Sequence, residues 1–155
     1  MKSNKFLKKL IVAMLSVTLL APVTSFLDNS NNYAQAAKEG WKWEWGNWYY
    51  YVGGKPLKNT WKGDYYLKSD GKMARNEWIF DKSYNAWYYL GNDGKYLRNA
   101  WYKDYYLKGN GKMAHNEWIF DWHYFGHYYL KSDGKYARNE WVGRYWVGPD
   151  GKYVK

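Results

Sequence analysis

Tryptophan recurs in this chain at Trp61, Trp78, Trp101, Trp118 and Trp141, with gaps that alternate between 17 and 23 residues. The whole pattern therefore repeats every 40 residues. Self-similarity at a fixed period is the mark of a stacked, quasi-one-dimensional array, in which each unit buries its apolar surface only against its neighbours. Such a chain does one job several times along a line. Because the repeated landmark is aromatic, the repeated job is expected to involve something that prefers π faces.

The units share an internal order: Trp, then Tyr-Tyr-Leu, then a turn closing on Gly-Lys, then Asn before the next Trp. The short units are residues 61–77 and 101–117, the long ones 78–100 and 118–140, between a leading segment 38–60 and a closing segment 141–155. Each reads as a β-hairpin. Tyr65-Tyr66-Leu67 has the composition of a strand, and Asp70-Gly71 is a strong hairpin turn signal. The same turn returns at Asp93-Gly94, Asn110-Gly111, Asp133-Gly134 and Asp150-Gly151. The class expected is all-β, a repeat solenoid of stacked β-hairpins.

Strand alternation assigns faces. Leu67, Leu90, Leu107, Leu130 and Val147 mark the core side. The second Tyr of each pair (Tyr66, Tyr89, Tyr106, Tyr129, with Trp146 in the last unit) is expected to point away from it, towards a ligand. The first (Tyr65, Tyr88, Tyr105, Tyr128) is expected to be hairpin packing. The extra residues of the long units, Ile79–Trp87 and Ile119–His127, read as irregular aromatic loops folded back on their neighbours.

The N-terminus has a different character. Lys2, Lys5, Lys8 and Lys9 precede the apolar run 10–21, and Ala34-Gln35-Ala36 fits a small-x-small exit, so residues 1–36 are expected to be a secretory signal peptide. The run is short for a membrane span, and none is expected after cleavage. Removing four Lys and one Asp takes the net charge from +10 to +7 for residues 37–155. With no cysteine, stacking must do the work that disulfides often do in small secreted chains. With 12 Trp, 19 Tyr and 5 Phe, disorder is not expected.

Aromatic grooves between units suit two kinds of ligand: a quaternary ammonium held by cation–π attraction, or sugar rings stacked on indole and phenol faces. Weak sites in a row gain avidity when the target is itself a polymer. His115, His123 and His127 lack metal-ligand spacing, and the acidic residues repeat with the architecture, so no metal, cofactor or acid–base pair is expected. Basic charge with aromatics is also a nucleic-acid signature, but it does not suit a secreted chain.

The stretches Trp61 through YYLKSDGKMARNE to Trp78, Trp101 through YYLKGNGKMAHNE to Trp118, and WYYLGNDGKYLRN at 87–99 resemble the choline-binding repeats of Gram-positive surface proteins. The resemblance implies a left-handed β-solenoid that binds phosphocholine on teichoic and lipoteichoic acids. It also implies non-covalent attachment at the cell wall without enzymatic activity; secretion follows from the signal peptide. The long-unit insertions Phe80–Trp87 and Phe120–His127, the least uniform surfaces, are the candidate site for a host or surface protein as a further partner. Carried over residue by residue, the cage walls are the openers Trp61, Trp78, Trp101, Trp118 and Trp141. To these are added the strand aromatics Tyr66, Tyr89, Tyr106, Tyr129 and Trp146, and Trp48 and Trp87 before Tyr-Tyr. Met73 and Met113 are fillers or soft fourth walls. Asp64, Asp104, His127 and Arg144 stand where Trp48 and Trp87 stand elsewhere, so fewer working cages than units are expected. A glucan-binding repeat is the alternative.

Overall fold

The computed structural model describes residues 39–155; the signal-peptide expectation lies outside them. The described chain is six antiparallel hairpins in six separate sheets, and no helix occurs among these residues. Hairpin 1 pairs β1 (Gly40–Glu44) with β2 (Asn47–Val52), and the short β3 (Lys55–Pro56) adds to its edge. Hairpin 2 is β4 (Thr60–Lys62) with β5 (Tyr65–Leu67), and hairpin 3 is β6 (Glu77–Asp81) with β7 (Ala86–Leu90). Hairpin 4 is β8 (Ala100–Tyr102) with β9 (Tyr105–Leu107), and hairpin 5 is β10 (Glu117–Asp121) with β11 (Gly126–Leu130). Hairpin 6 is β12 (Glu140–Val142) with β13 (Tyr145–Val147).

Each opening Trp pairs with the second Tyr of its own unit: Trp61 with Tyr66, Trp78 with Tyr89, Trp101 with Tyr106, Trp118 with Tyr129. Between hairpins the chain must change direction sharply. An asparagine two residues before each opener does this in the left-handed region, with φ of 47–52° at Asn59, Asn76, Asn99, Asn116 and Asn139. Asparagine tolerates that conformation better than other residues bearing a Cβ. The glutamate that follows closes the corner: Glu77, Glu117 and Glu140 each accept the N–H two residues upstream and pair with Lys68, Lys108 and Lys131.

Successive hairpins are stitched by one recurring backbone bond. The residue after Gly-Lys donates to the carbonyl of the residue before Tyr-Tyr in the preceding hairpin. The bonds are Met73 to Trp48, Tyr96 to Asp64, Met113 to Trp87, Tyr136 to Asp104 and Tyr153 to His127, at 2.8–3.0 Å.

Leu67, Leu90, Leu107, Leu130 and Val147 are fully buried, as their periodicity requires. The expectation that the second Tyr turns outward fails. Tyr89 and Tyr106 are buried, and Tyr66 and Tyr129 are half-buried. The alternation itself is correct, but a two-stranded hairpin inside a stack has neighbours on both faces, so neither face is free. The long-unit insertions also differ from expectation. They lengthen the strands from three residues to five and close in compact turns. Asp81 and Asp121, both buried, cap those turns by accepting the N–H groups of Ser83 and Tyr84, and of His123 and Tyr124.

Candidate ligand cages between hairpins

The same two carboxylates hold indoles of the preceding hairpin. Trp61 Nε1 donates to Asp81 Oδ2 at 2.5 Å, and Trp101 Nε1 to Asp121 Oδ2 at 2.6 Å. A buried carboxylate with several N–H donors is satisfied, so its charge costs little. It ties a short hairpin to the long one after it, which gives the 40-residue period a physical unit. The buried clusters follow the same pairing: Ala74, Tyr88 and Leu90 in one unit, Tyr106, Ala114 and Leu130 in the next.

At each junction the opener of one hairpin meets the first Tyr of the next, edge to face. The ring centroids are 5.1 Å apart for Trp41–Tyr65, 4.8 Å for Trp61–Tyr88, 5.2 Å for Trp78–Tyr105, 5.0 Å for Trp101–Tyr128 and 5.8 Å for Trp118–Tyr145. A concavity of about 310–400 Å³ opens beside each of these pairs. The third ring varies. Trp48 supplies it at the first junction, with Met73 beside it. Tyr96 supplies it at the second and Tyr136 at the fourth, 5.7 and 5.6 Å from their openers, with Tyr84 and Tyr124 also lining those cups. At the fifth, Tyr153 stands 6.3 Å from Trp118, and His127 completes the wall.

The third junction is built differently. Its concavity is lined by Trp78, Tyr89, Tyr102 and Tyr105. Tyr102 stacks on Tyr89 at 3.6 Å, and their hydrogen bond, followed by burial, pushes the Tyr89 phenol up to about 12. Trp87 lies two cross-strand pairs further out, against Phe80 and 44% exposed.

These placements revise the candidate set. The openers Trp61, Trp78, Trp101 and Trp118 and the ring of Trp48 line concavities, and Met73 lines one too. Tyr66, Tyr106 and Tyr129 stand behind their openers as cross-strand partners, 5.0–5.3 Å away, while the first Tyr reaches across the junction. Trp141 meets Trp146 at 5.4 Å without a ring from a following hairpin among the described residues. Met113 is stitched to Trp87 and lies within reach of Gly134, outside the third concavity.

The expectation that Asp64, Asp104 and His127 leave cages a ring short also fails geometrically. Where the Trp before Tyr-Tyr is missing, the residue after Gly-Lys that is stitched to that position is Tyr rather than Met. Asp64 and Asp104 instead anchor Arg98 and Arg138 at 2.9 and 3.0 Å, and these guanidiniums lie over Tyr96 and Tyr136. Of the wall residues that sequence reasoning assigned elsewhere, Tyr96, Tyr136 and Tyr153 carried a legible signal, and the first Tyr of each pair did not. Met or Tyr after Gly-Lys varies in step with Trp or a polar residue before the Tyr-Tyr of the preceding hairpin. Trp41 falls outside the 17 and 23 spacing and gave no such signal.

An aromatic cup with edge-to-face walls presents several negative π faces to one point, which is how quaternary ammonium groups are held. The family model of the choline-binding repeat matches residues 55–96, 95–127 and 121–153. The chain belongs to the choline-binding repeat family. It is similar to the choline-binding domain of CbpL from Streptococcus pneumoniae, at 58% identity over 76% of this chain and 65% of that one, with a TM-score of 0.73. It is also similar to CbpJ of the same species, at 32% identity over 75% of this chain and 41% of that one (TM-score 0.59). CbpF in complex with ipratropium matches at 34% over 76% of this chain and 39% of that one, also with TM-score 0.59. Over 29 residues, or 19% of its length, the chain is 55% identical to two S. pneumoniae proteins named as candidate endo-beta-N-acetylglucosaminidases, of which it spans 4%. The matched family model describes a choline-binding repeat.

Proposed function

We propose that this chain is a non-catalytic module that attaches to a choline-decorated cell wall, its inter-hairpin cups each taking the choline head of phosphocholine on teichoic or lipoteichoic acid. The observation that carries this is the opener–first-Tyr pair with at least one further ring, repeated around a concavity at five successive junctions. Support comes from the ipratropium complex of CbpF, since ipratropium is itself a quaternary ammonium compound. Three π faces at ~0.5–2 kcal/mol each amount to about 4 kcal/mol, a dissociation constant of about 1 mM per cup. One such cup holds poorly; several on a polymer hold well.

The test is retention on a resin bearing choline-like tertiary or quaternary amines and release by free choline. Release by sodium chloride at the same concentration would reduce the interaction to charge, and retention on dextran instead would favour the glucan alternative. Attachment through the cups leaves the tip of hairpin 5 outward, where Trp122 and Phe125 are 80% and 76% exposed. A host or surface protein partner would meet it there, and Trp122→Ser should abolish such binding while leaving wall binding intact.

A further inference from the structure

The five cups differ in the charge at their lips. At the second junction, Lys112 and Asn110 come from the turn after hairpin 4's strands, so three units build one cup. At the fourth, Lys152 and Asp150 come from the turn after hairpin 6's strands, and Lys103 is added. At the first, the corresponding turn contributes Asp93 and no lysine. Lys72, at the same turn position, pairs with Asp70, whereas neither Lys112 nor Lys152 has an ion-pair partner among the described residues.

Both lysines are also positioned. Lys112 Nζ lies 3.5 Å from the Tyr84 carbonyl and 5.5 Å from the centre of the Tyr84 ring, which lines the same cup. The stem of Lys152 lies across Gly126, where a Cβ would meet its Cγ and Cδ at 3.1 Å.

Resting on the proposed function, we infer that the second and fourth cups read phosphocholine as a zwitterion, ammonium in the aromatic cup and phosphate on Lys112 or Lys152, while the first cup reads the ammonium alone. In phosphocholine the two charges are separated by two carbons and an oxygen, so a cation at the lip is within one ligand's length of the cup. A lysine there attracts the phosphate and mildly repels the ammonium. Asp93 does the reverse. One charge at about 4 Å in water is worth a factor of about five in affinity, and less as salt is added.

The test compares choline chloride with phosphocholine in calorimetric titrations of the full chain at low salt. The expected result is a tighter phase for phosphocholine that choline lacks. In Lys112→Gln/Lys152→Gln that phase weakens about fivefold while choline binding tightens slightly, and in Asp93→Asn phosphocholine gains. The inference is overturned if the double variant weakens both ligands alike, or if neither ligand responds to the substitutions. Absence of any saturable response to either ligand in the unsubstituted chain would instead overturn the choline reading beneath it.

Discussion

At the scale of single residues, Asp81 and Asp121 carry more of the architecture than any other polar side chains. Each is buried, caps its own turn and holds an indole of the hairpin before it. Asp81→Ala would strand the Trp61 N–H and two backbone donors, at a cost of about 2–3 kcal/mol, while Asp70→Ala on an exposed turn should cost well under 1 kcal/mol. Urea denaturation of the two variants measures the contrast. The phenols make a second residue-scale prediction. Tyr66, Tyr88, Tyr106 and Tyr128 have pKa values raised first by burial, and Tyr89 is raised to about 12 by its bond to Tyr102. In the unfolded chain these phenols ionise near pH 10. Their neutral forms therefore favour the native state fully below pH 10, and that stabilisation is lost as pH climbs from about 10 through 12. Tyrosinate absorbance should rise late and together with the loss of near-UV circular dichroism.

At the scale of the element, the corner between hairpins is as demanding as the hairpin. Asn99→Ala places a β-carbon residue at φ 47° and should destabilise by about 1 kcal/mol, whereas Asn99→Gly should be close to neutral. Gly111→Ala is more severe, because its φ is +79° and the new Cβ would lie 2.4 Å from the Tyr96 ring. Thermal melts of the three variants give the ranking.

The hairpin class and the Tyr-Tyr-Leu strand were legible in the sequence, but the turn was not. Asp70-Gly71 reads as the hairpin turn, whereas Tyr65–Leu67 pairs with the Trp strand before it, Thr60–Lys62, and the Asp-Gly turn leads only to the isolated bridge Leu67–Met73. The assignment of the two tyrosines was not legible either. Period-two reasoning sorts residues between faces, but it takes one face to be core and the other solvent. In a stack both faces are covered, and the ring that crosses a junction is set by where the next hairpin lands. That placement depends on the left-handed asparagines, whose role a string of recurring Asn residues does not announce.

At the scale of the molecule, the repeating unit is a short hairpin joined to the following long one, sharing a buried cluster and an indole–carboxylate bond. Removing residues 101–140 excises one such period and rejoins equivalent positions. The shortened chain should still fold cooperatively, with a lower melting temperature and a smaller dependence on denaturant, because stability in such arrays sums over units and interfaces. The Trp spacing made this period visible. It did not show that the polar residues breaking the Trp-Tyr-Tyr pattern are matched by the tyrosine after Gly-Lys that is stitched to them, a pairing of positions far apart in sequence.

The central claim is that the junctions between hairpins are quaternary-ammonium cups walled by an opener and the first Tyr of the next unit. The most direct test is a choline titration followed by tryptophan emission and near-UV circular dichroism, on the parent chain and on Tyr88→Leu/Tyr128→Leu. The account predicts a saturable change at about 1 mM choline, absent with sodium chloride, and a loss of binding sites in the double variant. No response to choline in a folded parent chain, or an undiminished response when those two rings are gone, would contradict it.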